Sequence, residues 1–183
     1  MIFLYVLLAV VVLAGLALVL LYNNLVKLRN RIEGAWAQID VQLKRRYDLI
    51  PNLVQTVKGY ASHEKETLDA VIRARNAAGA ASGPADQAQA ENMVTSALRQ
   101  VFALSEAYPD LKANQGFLQL QEELAGTEGR ISYARQYYND TVLRYNTKIQ
   151  TFPTVVIANA MQFKEREYFE ADDTSRGPVD VTF

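Results

Sequence analysis

The fold is decided by the stretch "LVKLRNRIEGAWAQIDVQLKRRYDLI", residues 25–50, in which apolar side chains recur every three or four positions. That spacing places them on one face of an α-helix. The positions are Leu25, Leu28, Ile32, Trp36, Ile39, Leu43, Tyr47 and Ile50. A helix of this kind is stabilised mainly by packing of its apolar face. The stretch therefore predicts that other helices of the chain cover this face.

Pro51 follows the stretch without changing the phase of the pattern, which continues through Val54 and Val57. Proline has no backbone N–H, clashes with the preceding helical turn, and disfavours helical dihedral angles at the residue before it. We therefore expect Pro51 to occupy the first position of a second, nearly collinear helix. A kink within one long helix is the alternative.

Upstream, residues 1–22 contain no charged side chain. As a helix they would span roughly 33 Å, about the thickness of a bilayer's hydrocarbon core. A transmembrane helix is predicted, and a cleaved signal peptide is the competing interpretation. The missing basic start and the length of the apolar run disfavour the signal peptide.

The basic residues that follow the apolar run predict its orientation. Lys27, Arg29 and Arg31 follow it closely, and no Lys or Arg precedes it. The positive-inside rule then places the N-terminus outside and the rest of the chain in the cytoplasm. We also expect these three side chains to contact lipid head groups at the membrane exit.

Further amphipathic segments follow, broken near residues 76–87, 108–114 and 152–153. Short links between such segments predict antiparallel neighbours. The predicted fold is all-α: a transmembrane helix over 1–22, a long antiparallel bundle of three or four helices over 23–171, and a flexible C-terminal tail over 172–183. The spacing on the last long helix resembles that of a coiled coil.

The composition disfavours several classes of chemistry. The chain has no cysteine, which excludes thiolate nucleophiles and thiolate metal sites, and His63 is its single histidine. Ser62, His63 and Glu64 are consecutive, so on a helix they would point in different directions rather than converge as a triad. An isoelectric point near 5.9 disfavours nucleic-acid binding. No catalytic, cofactor or metal site is predicted.

Two groups of residues form a candidate docking surface. One is the basic run Lys44, Arg45 and Arg46, for which pairing with acidic residues of the second half is the favoured alternative. The acidic candidates are Glu122, Glu123 and Glu128. The other group is Tyr133 and Tyr137, which lie off the apolar face and could mark an interface. A buried ring with its hydroxyl at the rim is the competing interpretation for these tyrosines.

Three stretches carry a family resemblance. They are "LVKLRNRIEGAWAQIDVQLKRRYDLIPNLVQTVKGYASHEKETLDAVIRARN" (25–76), "AYPDLKANQGFLQLQEELAGTEGRISYARQYYNDTVLRYNT" (107–147) and "FPTVVIANAM" (152–161). The sequence resembles the LemA family. The resemblance implies a bacterial membrane protein with one N-terminal span and a four-helix, up-and-down bundle. It implies no reaction, and it suggests membrane proteases or TPM-domain proteins as partners.

These observations predict a membrane-anchored helical scaffold or interaction protein of the bacterial inner membrane, and not an enzyme. Its partners would be the lipid bilayer, other proteins and a second copy of itself, with no cofactor and no nucleic acid. A membrane-organising or membrane-remodelling oligomer that contacts anionic lipid is the alternative. A hydrolase using His63 is a third hypothesis.

Overall fold

The structure, a computed structural model, describes residues 1–170 of the 183. Six helices follow one another in this part of the chain, which contains no strand. They are α1 (Ile2–Tyr60), α2 (Lys65–Ala80), α3 (Pro84–Ser105), α4 (Pro109–Lys112), α5 (Gln115–Gln150) and α6 (Thr154–Ala160). The all-α prediction is confirmed. The predicted tail, 172–183, lies outside the described residues.

Pro51 lies inside α1, so the expected start of a second helix at this position is wrong. The helix runs on to Tyr60 and is followed by a short link, and α2 begins at Lys65. Pro84 opens α3 directly after Gly83, whose φ of 86° is in the left-handed region that glycine adopts readily.

The described chain packs as two compact units. The first unit comprises residues 1–37 and 136–167. The second comprises residues 38–135, together with residues 168–170.

The second unit is the four-helix arrangement. Its four long segments are the C-terminal part of α1, all of α2 and α3, and the N-terminal part of α5, and the short α4 lies in the link between α3 and α5. Its core is aliphatic, with Phe117 as a buried ring and Phe102 in edge contact at 6.2 Å between centroids. The fully buried positions include Ile50, Leu53, Val57, Val71, Val94, Val101 and Leu111. The apolar face read from the sequence therefore turns inward here.

The first unit contains the apolar anchor. One stretch of α1 is long and apolar enough to cross a membrane, and none of its most apolar window is buried in the protein. Beyond that stretch α1 becomes amphipathic, and Leu25 and Ile32 are buried. Trp36 meets Tyr138 of α5 edge to face, with 5.5 Å between the ring centroids.

After α6 the chain turns back along α5 as an extended segment, residues 163–167, which we call the strap. Side chains of α5 bind its backbone. The Tyr145 hydroxyl donates to the Lys164 carbonyl at 3.0 Å, and the Tyr138 hydroxyl donates to the Glu167 carbonyl at 2.9 Å. Asn146 pairs with both backbone groups of Arg166, at 2.9 Å each. Burial raises the pKa of Tyr138 and of Tyr145, so both remain hydroxyl donors at neutral pH.

The reversal between α6 and the strap is a Schellman-type cap. The Phe163 amide donates to the Ala158 carbonyl at 2.9 Å, and the Gln162 amide donates to the Asn159 carbonyl at 3.3 Å. The motif requires a left-handed residue, and Gln162 supplies it with a φ of 57°. Glycine is the usual residue at such a position because it has no Cβ to clash.

We predict that Gln162→Gly tightens this cap by about 0.5–1 kcal/mol, because it removes the cost of a left-handed side chain. Gln162→Val should loosen the cap, since a β-branched residue tolerates this conformation poorly. Hydrogen exchange at the Gln162 and Phe163 amides checks both: exchange should slow in the glycine variant and quicken in the valine variant. Equal exchange in the two variants would contradict the assigned role of this φ.

Candidate functional site

Arg46, on α1, is the centre of a buried polar cluster in the second unit. Only 2% of the residue is exposed. Its Nη1 lies 3.1 Å from Glu91 Oε2 of α3, and its Nη2 lies 3.0 Å from Glu128 Oε2 of α5. Glu91 is 1% exposed, whereas the Glu128 side chain is 45% exposed. The cluster thus joins a fully buried ion pair to a carboxylate at the surface.

Neutral side chains complete the coordination of these charges. Arg46 Nη2 also donates to Thr95 Oγ1 at 2.7 Å. The Tyr47 hydroxyl donates a hydrogen bond to Glu91 Oε1, and Gln87 Nε2 donates to the same oxygen at 2.9 Å. Both carboxylate oxygens of Glu91 are therefore engaged. A buried carboxylate is tolerated only when it is paired and hydrogen-bonded in this way.

Burial and the hydrogen bond to Glu91 raise the pKa of Tyr47 far above its ordinary value. The phenol therefore stays protonated and keeps its role as donor. Burial lowers the pKa of Arg135 on α5, and the nearby carboxylates of Glu128 and Glu91 oppose this shift electrostatically. Its guanidinium stacks over the Phe169 ring, 4.6 Å from the centroid.

Pro51 contributes to this region through the hydrogen bond that it cannot make. In a regular helix the amide of residue 51 would donate to the carbonyl of Tyr47, four positions earlier, and proline has no such amide. Arg75 of α2 supplies the missing donor, since its Nε lies 2.9 Å from the Tyr47 carbonyl oxygen. The proline therefore creates an acceptor on α1 that ties α2 to it.

The cluster holds four helices together. Its members come from α1, α2, α3 and α5, and Gln87 also donates to the Ala78 carbonyl of α2 at 3.1 Å. Each charged group at its buried centre is paired with another group of the protein. Among residues 1–170, no group of three or more His, Asp or Glu side chains is arranged to hold a metal ion.

Arg46 was predicted as part of a docking surface, and this is wrong because the residue is buried in the ion pair. The alternative interpretation, pairing with an acidic residue of the second half, is confirmed for Glu128. Lys44 and Arg45, the other two members of the basic run, are exposed.

The two aromatic candidates both lie at the surface of α5. Tyr133 is 74% exposed and Tyr137 is 39% exposed. The competing interpretation was that these rings are buried, and it is wrong for Tyr133. Whether a partner docks on them stays a prediction.

The basic residues after the anchor differ in their surroundings. Lys27 and Arg31 are exposed, whereas Arg29 is half buried and its guanidinium lies 6.0 Å from the centroid of the Phe163 ring. Lipid contact by the three stays a prediction. His63 is exposed in the link between α1 and α2.

Sequence reasoning missed Glu91, Gln87, Tyr47 and Arg75 as members of the cluster. A signal for two of them was present. Gln87 and Glu91 are four residues apart and continue, toward the N-terminus, the same helical face as Val94 and Leu98. A charge on a face otherwise apolar indicates a buried partner. For Arg75 the signal is weaker. Pro51 indicates only that the Tyr47 carbonyl needs another donor, and not which residue supplies it.

Comparison with known proteins identifies the family. The LemA family profile matches residues 35–183. This chain belongs to the LemA family.

Individual relatives fall into two groups. Protein LemA of Metamycoplasma hominis is 29% identical over 164 residues, covering 87% of this chain and 74% of that protein. Magnetosome protein MamQ 2 of Paramagnetospirillum magneticum is 23% identical over 188 residues, covering 88% of this chain and 69% of that protein. Magnetosome protein MamQ of Magnetospirillum gryphiswaldense has the same identity and coverage.

Together, the anchor helix and the family identify a membrane-associated helical protein. The LemA family is not known as a family of enzymes.

We predict that Arg46→Met destabilises the protein by about 3–5 kcal/mol, because it leaves Glu91 buried without its counter-charge. Adding Glu91→Leu should recover most of the loss, since no buried charge then remains. Thermal and urea unfolding of the full chain in mild detergent measure both effects. Arg45→Met, an exposed neighbour, is the control and should change stability by less than about 0.5 kcal/mol. A double variant no more stable than Arg46→Met would contradict this account.

A double-mutant cycle tests the link between Pro51 and Arg75. Arg75→Met should cost about 1 kcal/mol, because it leaves the Tyr47 carbonyl without a donor. In a Pro51→Ala background the cost should be smaller by about 0.5–1 kcal/mol, since the alanine amide can now donate to that carbonyl. The free energy of unfolding of the four proteins gives the coupling, and Arg73→Met, exposed on the same helix, serves as control. Equal costs in both backgrounds would refute the link.

Proposed function

We propose that this protein is a membrane-anchored helical scaffold that presents helical surfaces to protein partners at the bacterial inner membrane, with its bundle in the cytoplasm. The observation that carries the proposal is Tyr133, a large aromatic side chain that is 74% exposed on α5. Tyrosine is enriched in protein interfaces, where its ring adds apolar area and its hydroxyl a hydrogen bond.

The buried cluster supports the same proposal. Arg46 and Glu91 neutralise each other inside the second unit, so its strongest charges serve packing rather than a substrate. Lys44 and Arg45, in contrast, stay exposed and are free to steer an acidic partner. The cytoplasmic orientation rests on the basic residues that follow the anchor.

A second candidate is an oligomer that organises membrane. Three relatives of this chain are magnetosome proteins, which favours a role in assembly at a membrane. In that case the surface around Tyr133 would receive a second copy of the chain. Both candidates predict a contact at Tyr133, and they differ in the identity of what is bound.

We predict that a photo-crosslinking amino acid placed at Arg130, one turn from Tyr133, captures a discrete protein in living cells. Tyr133→Ser should reduce this capture about tenfold, because loss of a central aromatic side chain costs an interface on the order of 2 kcal/mol. Mass spectrometry of the captured product distinguishes a foreign partner from a second copy. The same probe at Asn92, exposed on α3, is the control. Capture that is unchanged by Tyr133→Ser would count against this surface.

A further inference from the structure

A polar cavity lies beside the end of the apolar anchor, within the first unit. Its volume is about 470 Å³, and Tyr22, Arg29, Lys164 and Arg166 are among the residues that line it. Three of these side chains are cationic. The lining also includes one carboxylate, Glu165, which accepts a hydrogen bond from Gln150 at 2.7 Å. The lining therefore carries a net positive charge.

Arg29 is the best placed of the cations to bind an anion. Its Nε is buried and has no hydrogen-bond partner among the described residues. A buried donor without a partner is costly. Arg29 lines the cavity, so a rotation of its guanidinium would let an oxyanion there accept a charge-assisted hydrogen bond. Arg166 lies 3.6 Å from Glu33, but both side chains are substantially exposed, at 43% and 62%, so this contact holds the arginine weakly.

A second, apolar cleft adjoins the polar cavity. Its volume is about 490 Å³, and it shares Tyr22 and Met161 with the cavity. The remaining lining comes from Leu18 and Val19 of the anchor and from α6. Because Leu18 and Val19 belong to the apolar run of the anchor, the cleft lies where the anchor meets lipid.

The exposed side of α6 and its flanks is apolar as well. Phe152 is 84% exposed, and Val156 and Met161 are each 60% exposed. Large apolar side chains grouped at the surface indicate contact with a membrane or a partner. Val156 and Met161 line the cleft together with the anchor, so the membrane is the contact that this position favours.

We propose that the two spaces form one binding site for an anionic phospholipid. Arg29 and Lys164 bind the headgroup phosphate, and an acyl chain lies in the cleft between the anchor and α6. The site is distinct from a site for free phosphate, which would have no use for an apolar cleft that opens beside the cationic one. The inference goes beyond the scaffold function and does not rest on it.

Native mass spectrometry of the full chain, purified in mild detergent, tests the proposal. Phosphatidylglycerol, phosphatidylcholine and glycerol 3-phosphate are the three probes. We expect one phosphatidylglycerol molecule to be retained at least tenfold more strongly than phosphatidylcholine, because only the former carries net negative charge. Glycerol 3-phosphate should be retained least, since it has no acyl chain.

Variants then locate the site. Arg29→Gln should lower phosphatidylglycerol retention about tenfold, the loss expected for about 1.4 kcal/mol of charge-assisted hydrogen bonding. The matched control is Arg144→Gln, the same substitution at an exposed position of α5 outside the cavity lining. Ala160→Phe fills the apolar cleft and should lower retention with every headgroup charge intact. Circular dichroism establishes that each variant is folded, and Lys164→Gln replaces Arg29→Gln should the latter unfold.

Three outcomes would overturn the proposal. Equal loss in Arg29→Gln and Arg144→Gln would mean general charge attraction rather than a site. Equal retention of the two lipids would remove the role of the cations. Retention of glycerol 3-phosphate as strong as that of the lipid would assign the cavity to a free phosphate compound.

Discussion

The buried pair of Arg46 and Glu91 is the constraint on which the second unit depends. Removing two charges from water costs several kcal/mol for each, and their attraction repays this only when every remaining donor and acceptor is satisfied. Thr95, Tyr47 and Gln87 provide those partners from fixed positions on α1 and α3. A shift of one helix by a turn would leave a charge buried alone, whereas aliphatic contacts would tolerate it more readily. We infer that the pair sets the register of the helices.

Pro51 acts on the same region by a different route. A proline inside a helix normally weakens it, because one carbonyl loses its donor. Here Arg75 donates to that carbonyl from another helix, so a defect of α1 becomes a connection between α1 and α2. The exposed position of Pro51 leaves the apolar face undisturbed, which is why the pattern continues in phase through Val54 and Val57.

Much of this fold could be predicted from the sequence, because helical periodicity reports which side of a helix is buried. The anchor, the helical class and the breaks near Pro84 and Pro153 followed from that pattern and from the chemistry of proline. Arg46 was misplaced because Arg46 and Tyr47 are adjacent, and the apolar pattern was continued through the tyrosine. In the structure the arginine occupies the inner position and the tyrosine is half buried.

The strap could not have been predicted in this way. Its backbone groups are satisfied by Tyr138, Tyr145 and Asn146 of α5 rather than by a helix or a sheet, so it has no period of its own. The pairing of the buried cluster was equally hidden, since periodicity shows that Glu91 faces inward but not which cation it meets. Sequence patterns describe one helix at a time, and these features depend on the contact between two.

The division of polar residues between interior and surface bears on function. In the second unit the charges that are buried are paired with each other, and the exposed ones, such as Lys44 and Arg45, remain available to another molecule. In the first unit the arrangement is the reverse, because Arg29 is half buried and its Nε has no partner among the described residues. A buried donor of that kind is costly to keep unless something binds it. An anionic oxygen bound beside Arg29 would remove this cost, which gives the donor a physical reason to persist.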